Sequence, residues 1–446
     1  MVRQSRIRVT PPGPKARELL RRDESLISPS VIRPYPLVVE SGEGCIVRDV
    51  DGNEFIDFNS GILCLNVGHS HPRIIRAIET QARKMLHYSY TDFYYEAILE
   101  LGEKLCKITP GTFEKKIFYC NSGTESVEAA IKLARWHTRK QLFLGYVSAF
   151  HGRTMGSLSL TSSKPAQRRH FFPVMPGVTQ VPYPYCYRCP FKLSYLECSY
   201  WCVDFIEEWV LKKYVPPEDV AAFFVEPIQG EGGYVVPPPE YFRRLKKLTD
   251  KYGILIVDDE VQTGVGRTGK WFAIEHWGIL PEMFCVAKAV ASGIPLGVTV
   301  ARAELMDWEG GTHATTLGGN PLAAAVALEV IDVIKDERLL ENAAKQGNYI
   351  LKRLKEMQRK HPILGDVRGK GLMIGVEIVK DPKTKTSGIE EAKEIVSRSF
   401  KRGLAMLTCG VSTIRVAPPL TITRDLVDEG LTIFEGCVKE TEKEKA

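Results

Sequence analysis

The chain has 446 residues, 44% of them hydrophobic, and its 60 basic and 54 acidic side chains leave a formal net charge of +6. That length buries a large core and favours two or three structural units, and so even a charge balance argues against a nucleic-acid partner while leaving anionic small molecules open. No apolar run approaches the ~20 residues that cross a bilayer and the N-terminus lacks the apolar stretch of a secretory signal, so a cytoplasmic enzyme with no membrane partner is expected.

Residues 1–45 are Pro-rich, with one short helical candidate at 15–22, and read as an arm lying on something larger. The basic start has the charge of a transit peptide, but Pro11-Pro-Gly-Pro14 interrupts any amphipathic helix, and acidic Glu18 and Asp23 follow. Two short alternating runs flank Asp51-Gly52 between Gly44 and Phe58, a hairpin signature. The runs 116–120, 142–147, 220–225, 254–257 and 283–287 read as short apolar strands separated by helical patterns, which predicts a parallel sheet covered on both faces. A long Ala/Val/Leu/Ile helix at 322–334 then leads into a smaller α+β unit with a strand at 372–379 and a last helix near 424–438. The Lys/Glu tail at 439–445 is expected to fray. The expected fold class is α/β, divided into an arm and hairpin at 1–60 packing with the small domain, a large domain at 61–325 and a small C-terminal domain at 326–446.

Most of the eleven cysteines stand singly in apolar runs, as Cys120 and Cys285 do, and read as core thiols. Cys186-x-x-Cys189 and Cys198-x-x-x-Cys202 crowd into one Tyr- and Pro-rich segment. Their spacing is open to a tetrahedral zinc, to disulfides in a hyperthermophile host, or to four free thiols in a surface insertion. No metal is assigned to the catalytic site.

In open parallel sheets ligands gather at the carboxyl ends of strands, so the polar residues there are the informative ones. The first run ends in Asn121-Ser122-Gly123-Thr124-Glu125, a helix entrance whose free N–H groups suit a phosphate. The second ends at Phe150-His151-Gly152-Arg153, the third at Glu226, the fourth at Asp258-Asp259-Glu260 and the fifth at Lys288. A carboxylate and a lysine at neighbouring strand ends are what pyridoxal phosphate requires, one to keep the pyridine nitrogen protonated and the other to form the imine. Lys288 interrupts the apolar run Phe-Cys-Val-Ala-Lys-Ala-Val-Ala, where an unpaired ammonium is costly, and is therefore expected to be a buried lysine of depressed pKa.

The motifs Asn-Ser-Gly-Thr-Glu (121–125), Phe-His-Gly-Arg-Thr (150–154), Glu-Pro-Ile-Gln-Gly-Glu (226–231), Asp-Glu-Val-Gln-Thr-Gly (259–264), Ala-Lys-Ala (287–289), Thr-Leu-Gly-Gly-Asn-Pro (316–321) and Ile-Arg-Val-Ala-Pro-Pro-Leu (414–420) together resemble the class III aminotransferases of fold-type I pyridoxal-phosphate enzymes. The resemblance runs from about residue 35 to 435 in the family's order. It implies pyridoxal 5'-phosphate as cofactor, Lys288 as the imine lysine, Asp259 on the pyridine nitrogen, Phe150 stacked on the ring and Gln262 near the ring hydroxyl. Gly123 and Thr124 would meet the phosphate, Thr316 would reach it from the partner subunit of a homodimer, and Ser122 and His151 count among the cofactor contacts. Ala289 departs from the Gly that often follows the lysine, and the cysteine segment lies outside the core pattern.

Gly264-Val-Gly266-Arg-Thr-Gly269 satisfies the dinucleotide fingerprint literally, but six residues separate it from its strand, and Trp271 stands where a P-loop needs Ser or Thr. A non-catalytic binding protein would have no need of Lys288 and Asp259 together. The nearer rival is an amino-acid racemase or epimerase of the same family, which uses the same Lys288. In ornithine and 4-aminobutyrate aminotransferases a Glu at the position of Glu231 masks an Arg at the position of Arg415 while an ω-amine is bound, so that the guanidinium always meets a carboxylate. Ile32 and Ile62 stand where 4-aminobutyrate enzymes carry isoleucine, and Arg153 where they hold the distal carboxylate; Glu226 joins this substrate set. The expected reaction is therefore transfer of an amino group from a 4-aminobutyrate-like ω-amino acid to a keto acid such as 2-oxoglutarate. The alternative reading of Arg153 and Glu231 is a salt-bridged loop.

Overall fold

The computed structural model describes residues 6–445, so the first five residues of the basic start and the last residue of the chain lie outside it. The chain folds as two compact units, one of Arg73–Leu340 and one of the described residues up to Pro72 together with those from Glu341 onward.

In the larger unit seven strands form one sheet in the order Lys115–Cys120, Gly297–Arg302, Met283–Val286, Leu255–Asp259, Val220–Val225, Leu142–Tyr146, Val178–Val181. Only Gly297–Arg302 runs antiparallel to its neighbours. The five apolar runs read from the sequence are all strands of this sheet; the other two carry Thr, Gln or Arg among short apolar stretches and give no continuous run. Val220–Val225 is buried at every position, as a strand covered on both faces must be. Helix Gly123–Thr138 presents Val127, Ala130, Ile131 and Ala134 to a core shared with Phe143, Phe224, Val257 and Cys285.

The smaller unit holds two further sheets. The hairpin Ile46–Asp49 and Glu54–Asp57 pairs antiparallel around Gly52, whose φ of +83° is the turn conformation that favours glycine. Its second strand also pairs, in parallel, with Leu404–Ala405 from the far end of the sequence. The arm's helix spans Pro14–Leu26, longer than the expected candidate, because Asp51 of the hairpin turn accepts from the N–H groups of Lys15 (3.0 Å) and Ala16 (2.9 Å) at its start. The second sheet comprises Leu364–Lys370, Met373–Asp381, Thr413–Val416 and Leu407–Cys409, with Thr386–Ser387 beside Met373–Asp381.

The unit boundaries at 72/73 and 340/341 differ from the expected 60/61 and 325/326. Helix Pro321–Asp336 stays with the larger unit, where Lys104 Nζ lies 2.6 Å from Asp332 Oδ1 and Arg73 pairs with Glu329. The charged tail is not frayed either. The last helix spans Arg424–Lys445, with Glu440 paired to Arg398 and Arg402, and Glu442 2.6 Å from His361 Nδ1. Each carboxylate meets a basic side chain from another element, which a reading of local composition does not supply. Among the described residues no helix is long and apolar enough to cross a membrane.

Candidate active site

The strand Leu255–Asp259 ends in two adjacent carboxylates, and the pleat sends successive side chains to opposite faces of the sheet. Asp259 Oδ2 meets His151 Nδ1 at 2.7 Å, and Oδ1 accepts from the Val261 N–H at 3.0 Å. Burial disfavours a charged His151, but the hydrogen bond to Asp259 and the charges of Asp259 and Glu226 outweigh it and raise its pKa. The backbone that carries the imidazole is fixed, because Thr161 Oγ1 accepts from the main-chain N–H groups of His151 (2.9 Å) and Gly152 (3.2 Å). Asp258 is fully buried, and burial together with the charges of Glu260 and Asp259 pushes it well above the usual carboxylate range. Asp259, which meets His151, is the one of the two that takes part in the site.

Glu226 joins two strand ends. Its Oε1 accepts from the Phe150 N–H (2.9 Å) and its Oε2 from the Gly230 N–H (2.8 Å). Burial pushes it up to about 7 despite the pull of His151. A Cβ on Gly230 would stand 2.3 Å from Gln262 Oε1, so only glycine lets that amide approach. Gln262 Oε1 and His151 Nε2 are both buried without a hydrogen-bond partner among the described residues, as expected of groups that face a ligand.

Ser122 caps helix Gly123–Thr138, its side chain accepting from the Glu125 N–H. Its first residue packs so closely on Val261 that a Cβ on Gly123 would stand 2.7 Å from Val261 Cγ1. Thr124 Oγ1 lies 2.6 Å from Ser157 Oγ and 2.8 Å from Thr154 Oγ1, so three hydroxyls gather at the helix N-terminus. The dipole end suits a phosphate, while Thr154 Oγ1 and the Ser157 N–H both donate to Glu128 Oε1. Phe150 is half-buried, with the exposed Arg153 guanidinium 5.6 Å from its ring centre.

Lys288 follows the strand Met283–Val286, next to the Asp259 strand, with Asp259 in register with Cys285. It is half-buried, which corrects the expected full burial, because the strand stops before it and the backbone turns. Its φ of +48° is left-handed, a strained conformation for a side chain with a Cβ. Thr316 is exposed, on a loop tied to its own chain where Asn121 Nδ2 donates to Thr315 Oγ1 at 3.4 Å.

Glu231, half-buried, belongs to the larger unit, whereas Ile32, Ile62 and Arg415 belong to the smaller. Arg415 is 4% exposed and donates from Nη2 to the Thr408 carbonyl (2.9 Å). Ile32 and Ile62 are exposed. Ile62 sits in a turn, Ser60–Leu63, whose four residues all have left-handed φ, a costly state for a β-branched side chain. The sequence carries no signal for that turn beyond Gly61. Nor does it single out Thr161 or Ser157, whose role depends on loops closing over one another.

Residues 27–438 match the family described as Aminotransferase class-III. The chain is 40% identical to an alanine/serine racemase of Pyrococcus horikoshii, over 98% of this chain and 93% of that protein. It is 38% identical to a probable 4-aminobutyrate aminotransferase of Bacillus subtilis, over 93% and 95%. A Bacillus anthracis aminotransferase structure superposes with a TM-score of 0.88 at 30% identity, covering 96% of this chain and 99% of that one. With its parallel sheet bearing Asp259 and Lys288 at neighbouring strand ends, the chain is an enzyme of fold-type I and belongs to the class III aminotransferase family.

Proposed function

We propose that this enzyme binds pyridoxal 5'-phosphate and transfers an amino group from a 4-aminobutyrate-like ω-amino acid to a keto acid such as 2-oxoglutarate. The observation that carries the reading is the buried Asp259–His151 pair at one strand end with Lys288 at the next. When bound, the cofactor supplies an electron sink for charge developing at the substrate carbon. Asp259 holds a proton on a ring nitrogen, and His151 keeps that side chain oriented. The hydroxyls of Thr124, Thr154 and Ser157 and the N-terminus of helix Gly123–Thr138 receive a phosphate. Phe150 covers one ring face, and Gln262 offers a buried amide to a ring hydroxyl. Lys288 supplies the primary amine and carries a proton to and from the substrate carbon. Arg415, withdrawn from solvent, grips a substrate carboxylate, and Glu231 substitutes for that carboxylate while an ω-amine is bound.

Racemisation of a neutral amino acid is the second reading, favoured by the identity to the Pyrococcus racemase. One experiment separates the two: supply a single amino acid with and without 2-oxoglutarate and follow both amino transfer and the configuration at the α-carbon. Amino transfer that depends on the acceptor supports the first reading. Rapid racemisation without acceptor and negligible amino transfer replaces it with the second.

A further inference from the structure

The turn that follows the strand Leu255–Asp259 carries Gln262, whose amide packs against Gly230 and whose Oε1 is buried without a hydrogen-bond partner among the described residues. A long, flexible side chain is not aimed by burial alone, so an amide kept ready for a ligand needs its backbone held. Both neighbours of Gln262 are tied to carboxyl groups at the strand end. On one side the Val261 N–H donates to Asp259 Oδ1 at 3.0 Å. On the other the Thr263 hydroxyl donates to Glu260 Oε2.

Glu260 is 1% exposed, as is Thr263. Its N–H donates at 2.9 Å to the carbonyl of Cys285, on the strand that leads to Lys288, so its own backbone is fixed to the sheet. From that anchor its Oε1 accepts from the Ile274 N–H at 2.9 Å, in the 3-10 turn Ala273–His276. Its carbonyl accepts from the Gly264 N–H, also at 2.9 Å. A Cβ on Gly264 would stand 2.8 Å from that carbonyl, so the turn closes tightly on the residue that holds it. A carboxyl group this deep is costly unless it is hydrogen-bonded, and one of its two oxygens is spent on the residue next to Gln262.

We propose that Glu260 is a positioning residue that acts through the Thr263 hydroxyl to aim the Gln262 amide at the ring hydroxyl of bound pyridoxal phosphate. The inference rests on the cofactor reading proposed above and extends it to two residues that do not touch the cofactor. An amide both accepts and donates, so it serves that hydroxyl whether or not the oxygen is ionised.

The test is equilibrium binding of pyridoxal 5'-phosphate and of its 3-deoxy analogue, which lacks the ring hydroxyl, to the full-length protein stripped of cofactor. Thr263→Val removes one hydroxyl at nearly constant volume. It should weaken binding of pyridoxal phosphate by about fivefold or more and change binding of the analogue by no more than about twofold. Glu260→Ala should show the same selectivity; if it does not fold, Thr263→Val decides alone. Thr263→Ser restores the hydroxyl and should bind both compounds as the wild type does. In a Gln262→Ala background Thr263→Val should add nothing, because its effect passes through that amide. Equal losses for the two compounds, or full additivity with Gln262→Ala, would reduce Glu260 and Thr263 to structural residues and overturn the proposal. A wild type that binds neither compound refutes the cofactor reading itself, whereas a wild type that binds both and is matched by Thr263→Val refutes only this inference.

Discussion

His151 Nδ1 lies 2.7 Å from Asp259 Oδ2 although 108 residues separate them, and both side chains are withdrawn from water. Asp259→Asn should keep the fold and the cofactor yet lower kcat/KM by at least about 100-fold, because an amide cannot hold a proton on the ring nitrogen. His151→Gln leaves the Asp259 carboxyl in place, so its loss should be smaller and should come with a changed pH profile. Steady-state rates across pH, with cofactor content read from the visible spectrum, check both. Wild-type turnover by Asp259→Asn would remove that residue from the mechanism.

Glu226 gives a stability prediction with a definite sign. Its folded pKa is raised to about 7 from the 4.5 of a free glutamate, so its stabilising protonated form is fully present below 4.5 and lost as pH rises through 7. Raised His151 runs the same way, its contribution being lost as pH climbs above its unfolded value of about 6.5. Glu226→Gln mimics the protonated acid, so its melting temperature relative to wild type should improve steadily between about pH 4.5 and 8. The upper bound is roughly 3 kcal/mol, at about 1.4 kcal/mol per pH unit of displacement. A difference that is flat with pH would mean that Glu226 is not titrating.

The left-handed backbone at Lys288 predicts an asymmetry between two inactive variants. Both Lys288→Gly and Lys288→Ala remove the amine, but only glycine adopts a φ of +48° without strain. Lys288→Gly should therefore be the more stable of the two by about 1 kcal/mol in denaturant unfolding. Borohydride treatment of the wild type should leave the cofactor covalently attached to Lys288 alone, as read by peptide mass.

The Glu231–Arg415 reading is tested through the two halves of the reaction. Glu231→Ala should slow the ω-amine half-reaction more than the α-amino half-reaction, because an unmasked Arg415 then grips the ω-substrate's carboxylate and misplaces its amine. Arg415→Lys should raise KM for 2-oxoglutarate by about tenfold or more, since a point charge replaces a planar fork. Equal damage to both half-reactions by Glu231→Ala would demote the pair to an ordinary ion pair.

Thr316 is exposed in the single chain, and the proposal that it serves a second subunit's phosphate is tested by mixing subunits. Mixing Lys288→Ala subunits with Thr316→Ala subunits should restore part of the activity that neither parent retains. A monodisperse active monomer in light scattering would exclude the shared site.

The sequence by itself determined the strands and which polar residues stand at their ends. Continuous apolar runs such as Val220–Val225 are local features, and a polar residue that ends such a run is placed at the sheet's edge wherever the rest of the chain goes. Lys288, Asp259 and the Ser122–Thr124 entrance were legible for that reason. What needed the tertiary structure was every choice made by contacts between distant segments. It is Asp259, not Asp258, that His151 meets. Glu226 bridges to Phe150 across 76 residues, and the amide of Gln262, from the turn after another strand, packs against Gly230. Helix Pro321–Asp336 belongs to the larger unit because Lys104 and Arg73 meet it there, and the last helix persists because Arg398, Arg402 and His361 meet its carboxylates. Even the burial of Lys288, read from its apolar neighbours, was decided by where the strand stopped. Local pattern fixes which residues are apolar and where strands end, but partners far apart in sequence meet only once the chain has folded.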